Sequence, residues 1–242
     1  MRPLLFTILF YGWTTLVSVA VLPLLLGPPR PLMAYSRVWV RGSLWLLRVT
    51  VGLSHRVVGR ENIPDGPVMF AIKHQSAWDT VAINLVVRDA AIVLKRELTW
   101  IPLFGWCLIR MRQIPVDRAG GMSALRGMIK AARGAISDGR PIVIFPEGTR
   151  VAPGLKLPYH AGISALQGAL DVPVVPVALN SGVFWPRRSL KLRPGVITIE
   201  FLPPLPADLS RRDFTKTLET AIEEAAERLY REALVTTVTS NP

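Results

Sequence analysis

The chain is poor in cysteine and histidine, and its first sixty residues contain no acidic residue. Among 242 residues there are one cysteine, Cys107, and three histidines. A single cysteine excludes an intrachain disulfide and is compatible with a reducing compartment. Because His55 and His160 stand alone in the sequence, we find no convincing set of metal ligands and expect no metal site.

Two motifs of common enzyme classes are also missing. The sequence has no Gly-x-x-x-x-Gly-Lys-Ser/Thr loop, so we do not expect it to bind ATP or GTP. No Gly-x-Ser-x-Gly elbow surrounds Ser76, and Cys107 lies in an apolar run. Neither side chain is therefore expected to act as a covalent nucleophile.

Positive charge predominates, with a formal net charge of +12 and a pI near 10.8. This balance favours nucleic acid, anionic lipid headgroups or phosphorylated substrates as partners. We find no element that would read a duplex, so nucleic acid is not expected. The basic residues before Glu61 stand among apolar and aromatic residues. Beside an anionic leaflet each basic residue contributes about 1 kcal/mol, so a membrane surface is the expected partner.

A long uncharged segment lies near the start of the chain. The 24 residues of 4–27, as a helix at about 1.5 Å per residue, would reach roughly 36 Å, against a hydrocarbon core of about 30 Å. Pro23 would kink or end such a helix. A cleaved secretory signal is an alternative, because Ser18-Val19-Ala20 faintly resembles a cleavage site. A second alternative is a helical hairpin in a soluble core.

A proline-rich break over residues 27–31 precedes a second predicted helix over residues 32–53. One face of that helix carries Arg37, Arg41 and Arg48, and the opposite face carries Tyr35, Trp39, Leu46 and Leu53. Burying the arginines at mid-bilayer would cost roughly 2.5–3.5 kcal/mol each, whereas the lipid interface avoids this cost. We predict that residues 1–53 form a two-helix membrane anchor with one inserted and one amphipathic helix. The positive-inside tendency places the remaining chain on the cytoplasmic face of the inner membrane.

Residues 54–234 alternate short apolar runs with helical patterns, which favours an α/β domain, expected as a mixed central sheet flanked by helices. The predicted strands are 68–72, 91–94, 114–116, 142–145, 172–179 and 196–201. Pro173 and Pro176 favour an edge or irregular position for the fifth of these. Helices are predicted over 80–87, 122–136 and 214–229, and residues 235–242 are expected to form a flexible tail.

His74 and Asp79 stand between the first predicted strand and the helix that follows it. A neutral imidazole accepts a hydroxyl proton near neutral pH, and a carboxylate on its other nitrogen fixes its tautomer and orientation. On one continuous helix the two side chains would lie about 140° apart. The pair therefore requires His74 in the turn and Asp79 in the first turn of the helix. A plain helix cap at Asp79 with a loop histidine is the alternative.

The segment Phe145-Pro146-Glu147-Gly148-Thr149-Arg150 follows a strand-like run. Gly148 permits a tight turn whose amide groups face an anion, and Arg150 offers a two-pronged contact to phosphate. A strand-ending turn with a surface salt bridge is the competing interpretation.

These two segments together closely resemble the motifs of the glycerolipid acyltransferase family, and most of all its bacterial members that acylate 1-acylglycerol 3-phosphate. Two further blocks, residues 95–118 and 172–177, resemble other family blocks in order and spacing. The resemblance covers roughly residues 55–205. Many members have asparagine before the histidine, where this chain has Lys73.

The resemblance implies that His74 deprotonates the free hydroxyl of a lysophospholipid while Asp79 orients the imidazole. The oxygen then attacks an acyl thioester, from acyl-CoA or acyl carrier protein, and no cofactor is expected. Substrate-binding roles are implied for Glu147, Gly148, Thr149, Arg150, Arg118 and Lys95. Lysophosphatidic acid is the expected acceptor, and another lysophospholipid, a lyso-aminolipid or a lipid A precursor is an alternative. A non-catalytic lipid-binding protein is a hypothesis of a different class.

Overall fold

Two helices precede the sheet in the computed structural model, which describes residues 2–189 and 191–239. Helix α1 spans Arg2–Ala20, a short 3-10 helix spans Leu22–Leu25, and α2 spans Pro29–Val51. By length and composition α1 is able to cross a membrane, and only 11% of the residues in its apolar 18-residue stretch are buried. Proline in the first turn of α2 suits the start of a helix, since its missing N–H would have no partner there.

Helices α1 and α2 pack tightly against each other through aromatic side chains. The Trp13 indole donates to the Trp39 carbonyl at 3.0 Å, and the Trp39 indole donates to the Thr14 hydroxyl at 3.1 Å. The Tyr35 hydroxyl donates to the Val17 carbonyl at 3.0 Å. Gly42 allows this approach, because a Cβ there would lie 2.5 Å from the Trp13 ring.

The faces of α2 differ from the sequence prediction. Trp39 and Leu46 pack against the protein core, and α2 ends at Val51, so that Leu53 belongs to a strand. Gly52 in the left-handed conformation ends the helix. The outer face combines two of the predicted arginines with apolar residues: Val38, Arg41, Trp45, Arg48 and Val49. The third arginine, Arg37, pairs with Asp89 at 2.6 Å.

A seven-stranded mixed sheet forms the centre of the domain. Its strands are β1 (Leu53–Val58), β2 (Met69–Ile72), β3 (Ala91–Lys95), β4 (Ile114–Val116), β5 (Ile142–Ile144), β6 (Val174–Leu179) and β7 (Gly195–Phe201). The strand order is β1-β7-β6-β2-β5-β3-β4. Only the β6–β7 pair is antiparallel among these strands. The predicted α/β class with a mixed sheet is therefore confirmed.

The six predicted strands are all present, but β6 is a continuous strand inside the sheet, so the predicted edge or irregular position is wrong. Pro173 precedes the strand, and its carbonyl accepts from the Met69 amide. Pro176 faces the β7 side just beyond the end of β7, where its carbonyl accepts from the Leu202 amide at 2.9 Å. Its missing N–H therefore interrupts no pair within the β6–β7 register. Strand β1 was not predicted.

Helices cover both faces of the sheet. They are α3 (Ala77–Val86), α4 (Phe104–Arg110), α5 (Gly121–Ser137), α6 (Gly162–Leu170), α7 (Ser181–Phe184) and α8 (Arg211–Thr239). Successive side chains of β2 point to opposite faces of the sheet and enter two hydrophobic cores. Phe70 and Ile72 pack with residues of α2 and α3. Met69 and Ala71 pack with residues of α5, α6 and α8. Helix α8 continues to Thr239, so the predicted tail begins too early, and residues 240–242 lie outside the described part of the chain.

Candidate active site

The predicted site residues meet because five neighbouring parallel strands end at one edge of the sheet. His74 follows β2, Glu147 follows β5, and Ser181 follows β6, with β2 paired to both of the other strands. Lys95 ends β3, and Arg118 follows β4 on the far side of β5. Ligand sites of α/β sheets lie outside the carboxyl ends of their strands. We call this region the carboxyl edge.

His74 and Asp79 form the predicted pair. The imidazole Nδ1 lies 2.9 Å from Asp79 Oδ2, with His74 in the turn after β2 and Asp79 in the first turn of α3. Ser76 is the N-cap of α3, and Asp79 completes a capping box with it. The N-cap is therefore Ser76 and not Asp79, but the Asp79 carboxylate contacts both the capping amides and the imidazole.

Asp79 is fixed by several donors at once. Its Oδ2 also accepts from the amides of Gln75 at 2.7 Å and Ser76 at 2.8 Å. Its Oδ1 accepts from the Ser181 hydroxyl, and the Asp79 side chain is 1% exposed. Ser181 was not identified from the sequence, although its place directly after a strand at the carboxyl edge was a usable signal. The carboxylate is thus held in one orientation toward His74.

The His74 ring is positioned by stacking as well as by hydrogen bonding. Its centroid lies 4.2 Å from that of Phe145, with 29° between the planes. Because Nδ1 donates to the Asp79 carboxylate, Nε2 carries the free lone pair. The side chain is 13% exposed and lines the large cavity described next. The geometry suits a general base acting on a bound hydroxyl.

A cavity of about 1120 Å³ is lined by His74 and by two kinds of side chain, apolar and basic. One part is apolar and is formed by α1, α2, α4 and α5, with Val17, Leu32, Val40, Leu108, Leu125 and Met128 among its lining residues. The other part carries basic side chains from the carboxyl edge, namely Lys95, Arg118, Arg150 and Arg187. A molecule with a long apolar chain and an anionic group matches such a site.

The basic part contains three of the predicted contacts and one that sequence reasoning missed. Lys95, Arg118 and Arg150 line the cavity as expected. Arg187 was not predicted; its guanidinium donates to the Arg150 carbonyl at 3.1 Å. Asp117 lies in the same region and pairs with Arg96 at 3.0 Å, which leaves the local balance positive.

The turn at Gly148 brings Arg150 beside His74. Gly148 has φ +63°, and a Cβ there would lie within 2.8 Å of the His160 ring and 3.6 Å from the Arg118 guanidinium carbon. The Val151 amide donates to the His74 carbonyl at 2.8 Å, which joins the two motifs directly. Gly148, Thr149 and Arg150 all line the cavity with His74.

Glu147 lies elsewhere than its predicted role requires. Its side chain is fully buried beneath the cavity and 3.1 Å from the ammonium of Lys73, so it does not face a bound acceptor. Lys73 also lies 2.6 Å from Glu223 of α8, and the Tyr159 hydroxyl donates to Glu223 at 3.1 Å. Burial raises the pKa of the Glu147 carboxyl, against the lowering effect of the nearby Lys73 ammonium. We call Lys73, Glu147 and Glu223 the buried charge cluster.

The described residues offer no side chain placed as a nucleophile against His74. Ser76 is buried and caps α3, and Ser181 donates to Asp79 rather than to the imidazole. Cys107 lines the cavity, but burial raises the pKa of its thiol and keeps it protonated. Among the described residues, histidine, cysteine and carboxylate side chains form no group of three that would hold a metal ion. That the chain works without a metal or cofactor stays a prediction.

The fold and the site define a class of protein: an α/β protein with a histidine–aspartate pair at the carboxyl edge, beside a large cavity with apolar and basic walls. Comparison with known proteins narrows this class. A profile of the acyltransferase family matches residues 54–180, which is more than half of the chain. The chain therefore belongs to the acyltransferase family.

Individual relatives agree with this assignment. The chain is 35% identical over 211 residues to the 1-acyl-sn-glycerol-3-phosphate acyltransferase of Pseudomonas aeruginosa, covering 84% of this chain and 81% of the relative. It is 28% identical over 176 residues to the coconut (Cocos nucifera) protein of the same name, covering 72% of this chain and 56% of that one. The crystal structure of the LPA acyltransferase PlsC from Thermotoga maritima matches with a TM-score of 0.76 at 25% identity. That match covers 95% of this chain and 98% of the other.

Proposed function

We propose that the protein transfers a fatty acyl group from an acyl thioester to the sn-2 hydroxyl of 1-acylglycerol 3-phosphate, giving phosphatidic acid for phospholipid biosynthesis. The observation that carries this proposal is that His74 lines one cavity together with both apolar and basic side chains. The names of the relatives point to the same acceptor.

In the proposed reaction His74 Nε2 accepts the proton of the acceptor hydroxyl, and the oxygen attacks the thioester carbonyl. The carbon–sulfur bond then breaks, and the thiolate leaves with the proton that His74 returns. Asp79 stabilises the imidazolium that forms in between. Such a base contributes typically ~10²–10⁴-fold to the rate. The positions of Ser76 and Ser181 support direct transfer without an acyl-enzyme.

The phosphate of the acceptor is assigned to the basic part of the cavity. Arg150 and Arg118 flank the Gly148 turn, and Lys95 and Arg187 complete the group. Guanidinium groups bind phosphate through two parallel hydrogen bonds, which fixes orientation as well as charge. Thr149 lines the same surface and offers a hydroxyl. Glu147 supports this turn from below instead of touching the acceptor.

The apolar part of the cavity suits the fatty acyl chain. Its walls come from residues of α1, α2, α4 and α5. Burial of apolar chain releases about 0.8 kcal/mol per CH₂ group, so chain length is selected by how much of the cavity the chain fills. The donor is acyl-CoA or acyl carrier protein, since both carry the same thioester.

Membrane attachment through residues 1–53 is part of this proposal. The outward face of α1 exposes Leu4, Ile8, Leu16 and Val19, while its inward face packs on α2. Phe6 of α1 packs edge-on against Trp185 of the domain, with ring centroids 5.7 Å apart. A helix held along the domain in this way fits insertion into the facing leaflet better than a separate crossing. Basic residues after α1 favour the cytoplasmic face of the inner membrane.

A second apolar surface beside α1 supports the same orientation. It consists of exposed residues in and before α4: Trp100, Ile101, Phe104, Trp106 and Ile109. The Arg110 guanidinium donates to the Gly27 carbonyl, which joins this surface to the connection between the 3-10 helix and α2. Exposed apolar patches mark interaction sites, and tryptophan is enriched at membrane interfaces. Phe104 also lines the cavity, so the cavity would open toward lipid.

The test is an assay of the purified protein with labelled lysophosphatidic acid and each donor in turn, followed by lipid separation. We expect labelled phosphatidic acid from wild type and none above background from His74→Ala. The control is His55→Ala, because the His55 ring is on the edge strand β1 and is not among the residues that line the cavity; we expect its activity to stay near that of wild type.

Near-normal activity of the folded His74→Ala protein would contradict the assignment of the base. Activity on a lyso-aminolipid but not on lysophosphatidic acid would favour the alternative acceptor. Vesicle binding without thiol release from either donor would favour a non-catalytic lipid-binding protein.

A further inference from the structure

The buried charge cluster connects three separate parts of the chain at one point. Lys73 Nζ lies 2.6 Å from Glu223 Oε1 and 3.1 Å from Glu147 Oε1. The side chains of the three residues are at most 6% exposed. Lys73 and Glu223 are 150 residues apart in sequence. A contact of this kind fixes the position of α8 relative to the carboxyl edge.

Two members of the cluster stand directly before residues of the site. Lys73 precedes His74, and its amide continues the sheet by donating to the Val177 carbonyl at 2.9 Å. Glu147 precedes Gly148, and its Oε1 also accepts from the His74 amide at 3.4 Å. One carboxylate oxygen therefore contacts both the ammonium of Lys73 and the backbone of the catalytic histidine.

Stability alone does not explain the cluster. Buried ion pairs are often replaced by apolar residues with no loss of stability, because the cost of desolvation offsets the attraction of the charges. Glu147 Oε2 is buried with no hydrogen-bond partner among the described residues, which is unfavourable by itself. The cluster also holds two carboxylates against a single ammonium.

We propose that Lys73 and Glu223 are positioning residues, which act through Glu147 to hold the His74 segment, the Gly148–Arg150 turn and α8 as one rigid unit. The base and the phosphate-binding arginine then keep their separation when the substrates bind. This inference rests on the proposed function for its kinetic effect, but the geometry it describes is independent of the acceptor.

The test uses the full-length protein with Glu223→Gln, which keeps the size and an acceptor oxygen but removes the charge. The matched control is Glu224→Gln, the exposed neighbour on α8. We expect kcat of Glu223→Gln to fall by ~10- to ~100-fold, because small displacements of a catalytic group cost that much. Its KM values for donor and acceptor should change less than threefold, about 0.65 kcal/mol at 25 °C.

A second measurement does not need activity. In protein labelled with ¹⁵N-histidine, the Nδ1 proton that His74 donates to Asp79 gives a signal that Asp79→Asn assigns by its loss. We expect this signal to weaken through faster solvent exchange in Glu223→Gln and to stay unchanged in Glu224→Gln. Wild-type kcat or an unaltered signal in Glu223→Gln would overturn the proposal.

A double variant covers the case in which Glu223→Gln fails to fold. Lys73→Asn with Glu223→Gln removes one charge of each sign, and we expect it to fold with a kcat as low as that of Glu223→Gln. A wild-type kcat in the folded double variant would also overturn the proposal. If wild type acylates no lysophosphatidic acid, the proposed function fails while the histidine signal still decides the positioning role.

Discussion

At the scale of single residues, Asp79 is the most heavily bonded group of the site. It accepts from the His74 ring, from two backbone amides and from the Ser181 hydroxyl. The hydroxyl bond holds Oδ1 and thereby turns Oδ2 toward the imidazole. Ser181 therefore helps to orient the Asp79 carboxylate, although Ser181 itself is not among the residues that line the cavity.

Ser181→Ala should lower both stability and kcat. It leaves a buried carboxylate oxygen without its donor, at a cost of roughly 1–3 kcal/mol in the free energy of unfolding. We expect kcat to fall by about tenfold, less than the ~10²–10⁴-fold loss for the base itself. Urea unfolding and steady-state kinetics check both values. Ser164→Ala is the control, because the Ser164 hydroxyl only donates to the Ala161 carbonyl near the surface.

The stability of the buried charge cluster should depend on pH in a defined direction. Burial raises the pKa of Glu147 above its ordinary value of 4.5. A carboxyl with a raised pKa in the folded state binds its proton more tightly there, so its favourable contribution is complete below pH 4.5 and is lost as pH rises through the raised pKa. Glu147→Gln removes this dependence.

The free energy of unfolding of wild type, minus that of Glu147→Gln, should therefore decrease as pH rises from 4.5. Urea unfolding from about pH 4 to about pH 8 measures the difference. Glu61→Gln, at an exposed position, should give a nearly constant difference over the same range. A difference that increases with pH for Glu147→Gln would contradict the prediction.

Sequence reasoning found the site residues whose positions depend only on nearby parts of the chain. His74 and Asp79 lie within one strand–turn–helix unit, and Arg150 lies within one strand-ending turn, so their placement follows from short-range geometry. Ser181 bonds to a residue 102 positions away, and Glu223 bonds to one 150 positions away. Such pairs depend on strand order, which the local pattern does not contain. Glu147 was misassigned for the same reason, since its partner Lys73 follows β2 and also contacts Glu223 of α8.

At the scale of elements, the contact between α1 and α2 depends on a single glycine. A Cβ at Gly42 would lie 2.5 Å from the Trp13 ring, which is held by its bond to the Trp39 carbonyl. Gly42→Ala should move the ring and break that bond, at a cost of about 1–3 kcal/mol. Because α1 and α2 wall the apolar part of the cavity, we also expect a higher KM for the acyl donor.

Chemical unfolding in detergent and donor titrations measure these two effects of Gly42→Ala. The matched control is Gly127→Ala on α5, where an added Cβ meets no atom within 4 Å. Replacing an unhindered helical glycine by alanine is expected to stabilise by about 0.5–1 kcal/mol. Equal stability changes in the two variants would show that the α1–α2 contact is loose.

The predictions for β6 and β1 failed because proline residues and polar residues were given too much weight. Two prolines favoured an edge position for β6, yet one lies outside the strand and the other faces the end of β7. Strand β1 was missed because its Ser54-His55-Arg56 segment is polar and exposed on one side of an edge strand. Gly52, which stops α2, was the available signal for this boundary.

At the scale of the whole molecule, positive charge and apolar surface should both contribute to membrane binding. Raising ionic strength from about 0.1 M to about 1 M shortens the Debye length from ~10 Å to ~3 Å and weakens the attraction to anionic lipid. At the higher salt concentration we expect part of the protein to leave anionic vesicles. The rest should stay bound through α1 and the exposed apolar residues in and before α4. Flotation of vesicles at both salt concentrations measures the bound fraction, with neutral vesicles as the control. Complete release at high salt would indicate a purely electrostatic contact.

The pairing of β1 with β7 requires β1 to wait for its partner strand during synthesis of the chain. Ser54 and its neighbour Gly195 are 141 residues apart, so at ribosomal rates of about 5–20 residues per second β1 emerges roughly 7–28 s before β7 exists. For that interval the nascent chain has β1 without its partner strand, directly after α1 and α2. Early insertion of α1 into lipid would keep the unfinished sheet apart from other nascent copies of the chain until β7 is synthesised.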